Sequence, residues 1–196
     1  MKKSILSLVV LSSIFSGGAL AASAANDSSY ATLNFSGRVT SNLCQVSTND
    51  VTKSIDLGEV TKTQIANSSQ PKQSFSVTLN NCDTTVADIS YILTDTNNNT
   101  SSAPYLVPVN TDTSAQGVGV YVTKSDGTAI QVGNKYTIDV QKEGTNALPQ
   151  QSVALTAYVD SITKGNVTNV VGGTVDAAGT LTIKAAAAAV TPPTTF

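Results

Sequence analysis

Few side chains in this 196-residue chain are equipped for chemistry. Two pairs of carboxylates lie close in sequence, Asp56 with Glu59 and Asp83 with Asp88, and paired carboxylates can act as acid and base on a glycosidic bond. Both pairs sit beside turn-forming Ser, Thr and Asn residues, where solvated surface charge explains them without any reaction. The chain contains no histidine. His general bases, Ser-His-Asp and Cys-His nucleophilic sites and His-containing metal centres are therefore excluded. Gly117-Val118-Gly119 resembles a fragment of a phosphate loop, but no third glycine, helix start or Gly-Lys-Ser/Thr follows it, so it reads as a strand whose glycines permit close packing. Tryptophan is absent, which leaves no ready stacking platform for sugars or bases. Tyr91, Tyr105, Tyr121, Tyr136 and Tyr158 read as sandwich packing with the hydroxyl near the rim. Asn166 opens an Asn-x-Thr pattern whose modification would depend on the host. No catalytic residue, no metal site and no cofactor is expected.

The remaining reactive groups are Cys44 and Cys82, and the compartment decides their meaning. Lys2 and Lys3 precede an apolar run from Ile5 to Phe15, followed by Gly17-Gly18 and small residues at Ala19, Ala21, Ala22 and Ala24. This is a secretory signal peptide over 1–21, with cleavage after Ala21 or, alternatively, after Ala24. Its apolar stretch is too short to cross roughly 30 Å of hydrocarbon, and no later segment approaches about 20 continuous apolar residues. The mature chain is expected to be soluble and exported, with no membrane insertion. An even pair of cysteines in such a chain reads as one disulfide, the alternative being two buried free thiols. Loss of Lys2 and Lys3 leaves nine basic residues against 13 acidic ones, a net charge of about −4, which argues against nucleic acid or anionic membrane as a partner.

The elements that must carry these residues are strands. Beyond the signal peptide, apolar residues alternate with Thr, Ser and Asn instead of recurring at three and four, so no helix is expected. Candidate strands are 32–40, 53–57, 73–79, 87–93, 117–123, 129–132, 135–140, 152–159 and 173–184. Asn80-Asn81, Asn97-Asn98-Asn99, Ser125-Asp126-Gly127, Gly133-Asn134 and Gly172-Gly173 supply the turns. Many short strands with polar turns specify an all-β sandwich or barrel of about 175 residues in one domain. Ala185 to Ala189 and the Pro192-Pro193 segment close the chain as a low-complexity tail over 185–196.

Four stretches resemble the pilin subunits of chaperone-usher fimbriae of the type 1 kind, most closely major subunits of colonisation-factor fimbriae from enterotoxigenic intestinal bacteria. They are Leu33-Asn-Phe35-Ser-Gly37-Arg-Val39 leading to Cys44; Ser74-Phe75-Ser-Val77-Thr-Leu79-Asn-Asn-Cys82-Asp83; Gly117-Val-Gly-Val-Tyr121 with Asp126-Gly127; and Ala147-Leu-Pro149 to Tyr158. The ending departs from the pattern, because Thr180-Leu-Thr-Ile-Lys184 runs into an alanine and proline tail where such pilins finish with a strand bearing a near-terminal aromatic. The resemblance implies an incomplete immunoglobulin-like β-sandwich over 35–184, lacking its last strand and completed by a donor strand from a neighbour.

That implied mechanism assigns 22–34 as the donor extension, with Ala25, Asp27, Ser29, Ala31 and Leu33 facing the acceptor. The acceptor groove would be walled by 38–46, with Leu43, and by the strand carrying Val153, Leu155, Ala157 and Val159. A periplasmic chaperone and an outer-membrane usher would act during assembly. Other copies of the chain in a helical filament, a tip adhesin and a host-cell receptor complete the expected partners. The chain would thus be a structural subunit of an adhesive surface fimbria, exported through the periplasm. The rival reading is a polyadhesin whose shaft binds the receptor through loops 95–103 and 111–116. Closing a loop of about 39 residues stabilises a fold by roughly 4 kcal/mol, so reduction of a Cys44–Cys82 bond should lower the unfolding free energy by that amount. Denaturant titration with and without reductant measures it, and an unchanged midpoint would favour free thiols.

Overall fold

The computed structural model describes residues 43–97 and 103–188. The chain divides into two units, Met1–Val39 and Thr40–Phe196, and the described residues belong to the second. The signal peptide, the 22–34 extension and the 32–40 strand lie outside the described residues, as do 98–102 and the tail from 189 onward. Within the second unit the chain is mostly β, an immunoglobulin-like sandwich of two antiparallel sheets.

The first sheet is ordered β1 (Gln45–Val46), β2 (Gln73–Asn80), β9 (Gln151–Ser161), β5 (Val118–Lys124) and β4 (Tyr105–Leu106). The second is ordered β10 (Gly179–Ala187), β3 (Val86–Asp95) and β6 (Lys135–Ile138), and β7 (Lys142–Glu143) pairs with β8 (Asn146–Ala147) in a small hairpin. Alternation dictates the faces. Val118, Val120 and Val122 of β5 and Val153, Leu155, Ala157 and Val159 of β9 turn into the main core with Tyr91 and Leu93 of β3, as period two requires. A second cluster joins Leu79, Cys82, Val86, Ile89 and Ala147, and there Cys44 and Cys82 form the disulfide, with Cα atoms 4.1 Å apart. Gln151, 2 % exposed, ties in the hairpin: its Nε2 donates to Gln141 O and Leu148 O while its Oε1 accepts from Gln141 N.

Several elements differ from the sequence reading. Segment 53–57 keeps the alternation, with Ile55 and Leu57 half-buried, yet forms no strand, because none of the described residues lies beside it as a ladder partner. Segment 129–132 makes one bridge, Thr123 to Ala129, and otherwise packs Ile130 and Val132 into the core. The last strand begins at Gly179, not 173: a Cβ on Gly173 would come within 2.5 Å of Ser114 C and Thr113 O, so the connector there is pressed against another loop instead of a ladder. The strand runs on through Ala185, Ala186 and Ala187, paired with Ile89, Asp88 and Val86. The 185–196 tail therefore starts later than its composition suggested; alanine is small enough to follow the ladder wherever a partner edge is offered. A short helix, α1 (Lys62–Ala66), also occurs where none was expected. Thr61 accepts from Gln64 N and Gln64 accepts from Thr61 N, a complete capping box.

Two tyrosines go deeper than the rim. Tyr91 and Tyr121 are each 2 % exposed, Tyr91 stacks on Tyr136 at 5.8 Å, and the Tyr121 hydroxyl donates to Ser161 O at 2.9 Å. Burial pushes both phenols up to about 12 from the ordinary 10.0. Between those values the unfolded chain has released protons that the folded chain retains, so stability falls as pH rises through that window. Alkaline unfolding followed by circular dichroism should fall inside this range, and Tyr91→Phe should flatten the pH dependence.

Candidate functional site

The carboxylate pairs singled out by the sequence form no site. Asp56 Oδ1 accepts from Gly58 N at 2.9 Å. Asp83 Oδ1 accepts from both the Thr85 amide and its hydroxyl, bonds that hold its carboxyl below the usual range. These are turn-capping roles. Among the described residues no group of three or more His, Cys, Asp or Glu side chains is placed to hold a metal, and no helix is long and apolar enough to cross a membrane.

The feature that stands out is a long groove of about 1240 Å³ between the two sheets. One wall is segment 51–60, presenting Val51, Ile55, Leu57 and Val60; the other is β10, presenting Leu181 and Ile183. The floor comes from Phe75 and Val77 of β2, Val118, Val120 and Val122 of β5, and Leu155, Ala157 and Val159 of β9. The loop from Val170 to Ala178 closes one end, and Val46, Asp50 and Val51 stand at the other.

Among the described residues, both walls carry backbone that is unpaired on the side of the groove. There β10 forms a ladder with β3 alone. Segment 51–60 belongs to no ladder, and the amides of its Gly58 and the adjacent Thr61 go to side chains. Unpaired N–H and C=O groups beside apolar surface are the template for another strand.

Local chemistry explains why 51–60 stands away from the second sheet. After β1 the chain enters a 3-10 turn, Thr48–Asp50. Asp50 Oδ2 accepts from Thr78 N at 2.8 Å and Asp50 Oδ1 pairs with Lys53 Nζ at 2.7 Å. Lys53 Nζ also donates to Ser76 O at 2.6 Å. Lys53, followed by the Thr78 amide, lowers the Asp50 pKa. These bonds tack the start of the segment to β2, and α1 fixes its far end against β9 through Ile65.

The predicted acceptor residues divide. Leu155, Ala157 and Val159 line the groove. Val153 is fully buried on the same face but does not line it. Leu43 is misplaced in the sequence reading: it packs with Leu79, Cys82 and Val86 in the second cluster. Of the 38–46 stretch, 38–42 lie outside the described residues and Val46 lines one end of the groove; the described wall is 51–60, which follows the 3-10 turn. Ile55, Leu57, Leu181 and Ile183 were overlooked as wall residues, although their spacing of two was visible. The donor residues Ala25, Asp27, Ser29, Ala31 and Leu33 lie outside the described residues.

Comparison with known proteins gives concordant results. A family model described as Fimbrial protein matches residues 33–185. Fimbrial protein 987P of Escherichia coli is 46 % identical over 189 residues, covering 95 % of this chain and 97 % of that protein. The type-1 fimbrial protein A chain of Escherichia coli is 29 % identical over 164 residues, covering 78 % and 87 %. Among solved structures, a chain of a chaperone-usher pilus aligns with a TM-score of 0.58 at 18 % identity, covering 81 % of this chain and 96 % of that one; at that identity the likeness speaks to the fold alone. The open apolar groove should make the monomer bind and brighten an amphiphilic dye such as anilinonaphthalene sulfonate. A dye response no larger than that of a closed β-sandwich would contradict an accessible groove.

Proposed function

The chain belongs to the fimbrial protein family and is a structural subunit of a fimbria, not an enzyme; we propose that it polymerises by donor-strand exchange. Segment 22–34 of one copy enters the groove of the next and hydrogen-bonds to both unpaired edges, 51–60 and β10. An apolar groove between two backbone edges that no described residue pairs carries this reading. Length agrees: 13 extended residues reach about 43 Å, ample for the nine residues of β10. Ala25, Asp27, Ser29, Ala31 and Leu33 supply the inward phase, with Leu33 and Ala31 on the floor of Leu155, Ala157 and Val159. Asp27 belongs near an end of the groove, because an unpaired buried carboxylate is strongly unfavourable.

Ten or so intermolecular backbone hydrogen bonds at about 1 kcal/mol net each hold the link together. A head-to-tail contact of this kind does not close on itself and generates an open filament. Until the neighbour's strand arrives, the groove must be covered by something else, a role that suits a periplasmic chaperone, with handover at an outer-membrane usher. The finished fibre stands at the cell surface, ends in a tip adhesin and supports attachment to a host-cell receptor.

Deletion of 22–34 is expected to leave a folded chain that forms no fibres, whereas the full chain gives SDS-resistant ladders that collapse on boiling. Fibres of the truncated chain in negative-stain images would overturn the proposal.

A further inference from the structure

Five large hydrophobic side chains are exposed among the described residues: Val46 (36 %), Val51 (70 %), Val109 (43 %), Ile162 (46 %) and Val171 (51 %). They fall at two opposite ends of the sandwich. Val46 pairs with Leu79, and Val51 follows the turn that Asp50 ties to Thr78, so both sit at the disulfide end of β2. The other three belong to one loop cluster at the opposite end. There Ile162 N donates to Gly117 O, Gln116 and Val171 exchange both backbone bonds, and Val109 N donates to Asp176 O. The cluster is rigidly built: a Cβ on Gly117, whose φ is +70°, would lie 2.4 Å from Asn169 O.

The two ends are also the ends of the groove, whose rim takes in Val46, Val51 and Val171, while Val109 and Ile162 stand outside it. β10 leaves the loop cluster at Gly179 and reaches the second core cluster at Ala185, while 51–60 runs the opposite way. A donated strand therefore finishes at one end or the other. The described chain begins at Leu43, nine residues after the donor segment closes at 34, and nine extended steps span at most about 32 Å. The body of the donating copy must then sit close to that end, with its own Leu43–Val51 end foremost.

We propose that successive copies pack end on end, with Val46 and Val51 of the donating copy against Val109, Ile162 and Val171 of the accepting one. This rests on the donor-strand reading and adds a second contact to it. Entry at the loop-cluster end matches apolar surface to apolar surface. It also leaves the disulfide end of the accepting copy free for that copy's own extension to depart. The opposite entry would crowd two bodies and two extensions at one disulfide end and leave Val109 and Ile162 in water. Separate, unlike patches on one molecule form the heterologous contact that an open filament needs.

The test uses the full chain carrying Asn49→Cys and Ile162→Cys, exposed positions at the two ends that do not line the groove, assembled into fibres and treated with a short bis-maleimide. The native cysteines do not compete, because none is free. The expected result is a 49-to-162 link between neighbours, seen as ladders that survive boiling. Its yield should exceed that of Asn49→Cys with Ser125→Cys, a flank position, by roughly tenfold through enforced proximity. Ladders present before boiling but lost after it, equal yields for the two pairs, or 49-to-49 dimers from Asn49→Cys alone would each overturn the end-on contact while leaving strand exchange intact. Absence of any ladder before boiling from the unsubstituted chain would instead sink strand exchange, and this contact with it.

Discussion

An apolar groove bounded by two unpaired backbone edges is the constraint from which the rest of this molecule follows. A sheet edge with free N–H and C=O groups is a liability in water, and it is worse beside exposed Val, Leu and Ile. Among the described residues nothing removes it, because β10 pairs with β3 on one side only and 51–60 joins no ladder. The interaction missing within the described domain is the interaction available for assembly.

The domain holds this gap open with specific restraints. The disulfide and the Asp50 contacts to Thr78 and Lys53 fasten the start of 51–60 to β2. At the far end the α1 capping box and Ile65 anchor the chain against β9, and the close approach of Gly173 to residues 113–115 locks the loop that ends the groove. These contacts lie on the periphery of the groove, leaving its floor of Leu155, Ala157 and Val159 uncovered by the described walls.

Much of the fold was legible because alternation is a local property. β2, β3, β5 and β9 fall within two residues of the segments read from period two, and the disulfide followed from compartment and cysteine number. Pairing is not local, and that is where the reading failed. Segment 53–57 shows the pattern of a strand and lacks only a neighbour, so sequence alone could not say that it would be a bare wall. Val153 was assigned to the groove from phase, which specifies a face but not whether another element covers it, and Leu43 from the 38–46 stretch that the resemblance made a wall. α1 is too short to show a helical period, although Thr61 and Gln64 carried the signal of its cap. Alanines 185–187 gave no strand preference, and β3 supplied it by offering an edge.

The central claim, that the two bare edges become paired when copies assemble, is tested most directly by amide hydrogen exchange of monomer and fibre. Protection should rise strongly and together along 51–60 and β10, with little change in β2, β5 and β9, whose amides are already in ladders. Equal exchange of 51–60 and β10 in the two states would contradict it, since a strand cannot be added without occupying the edges that receive it.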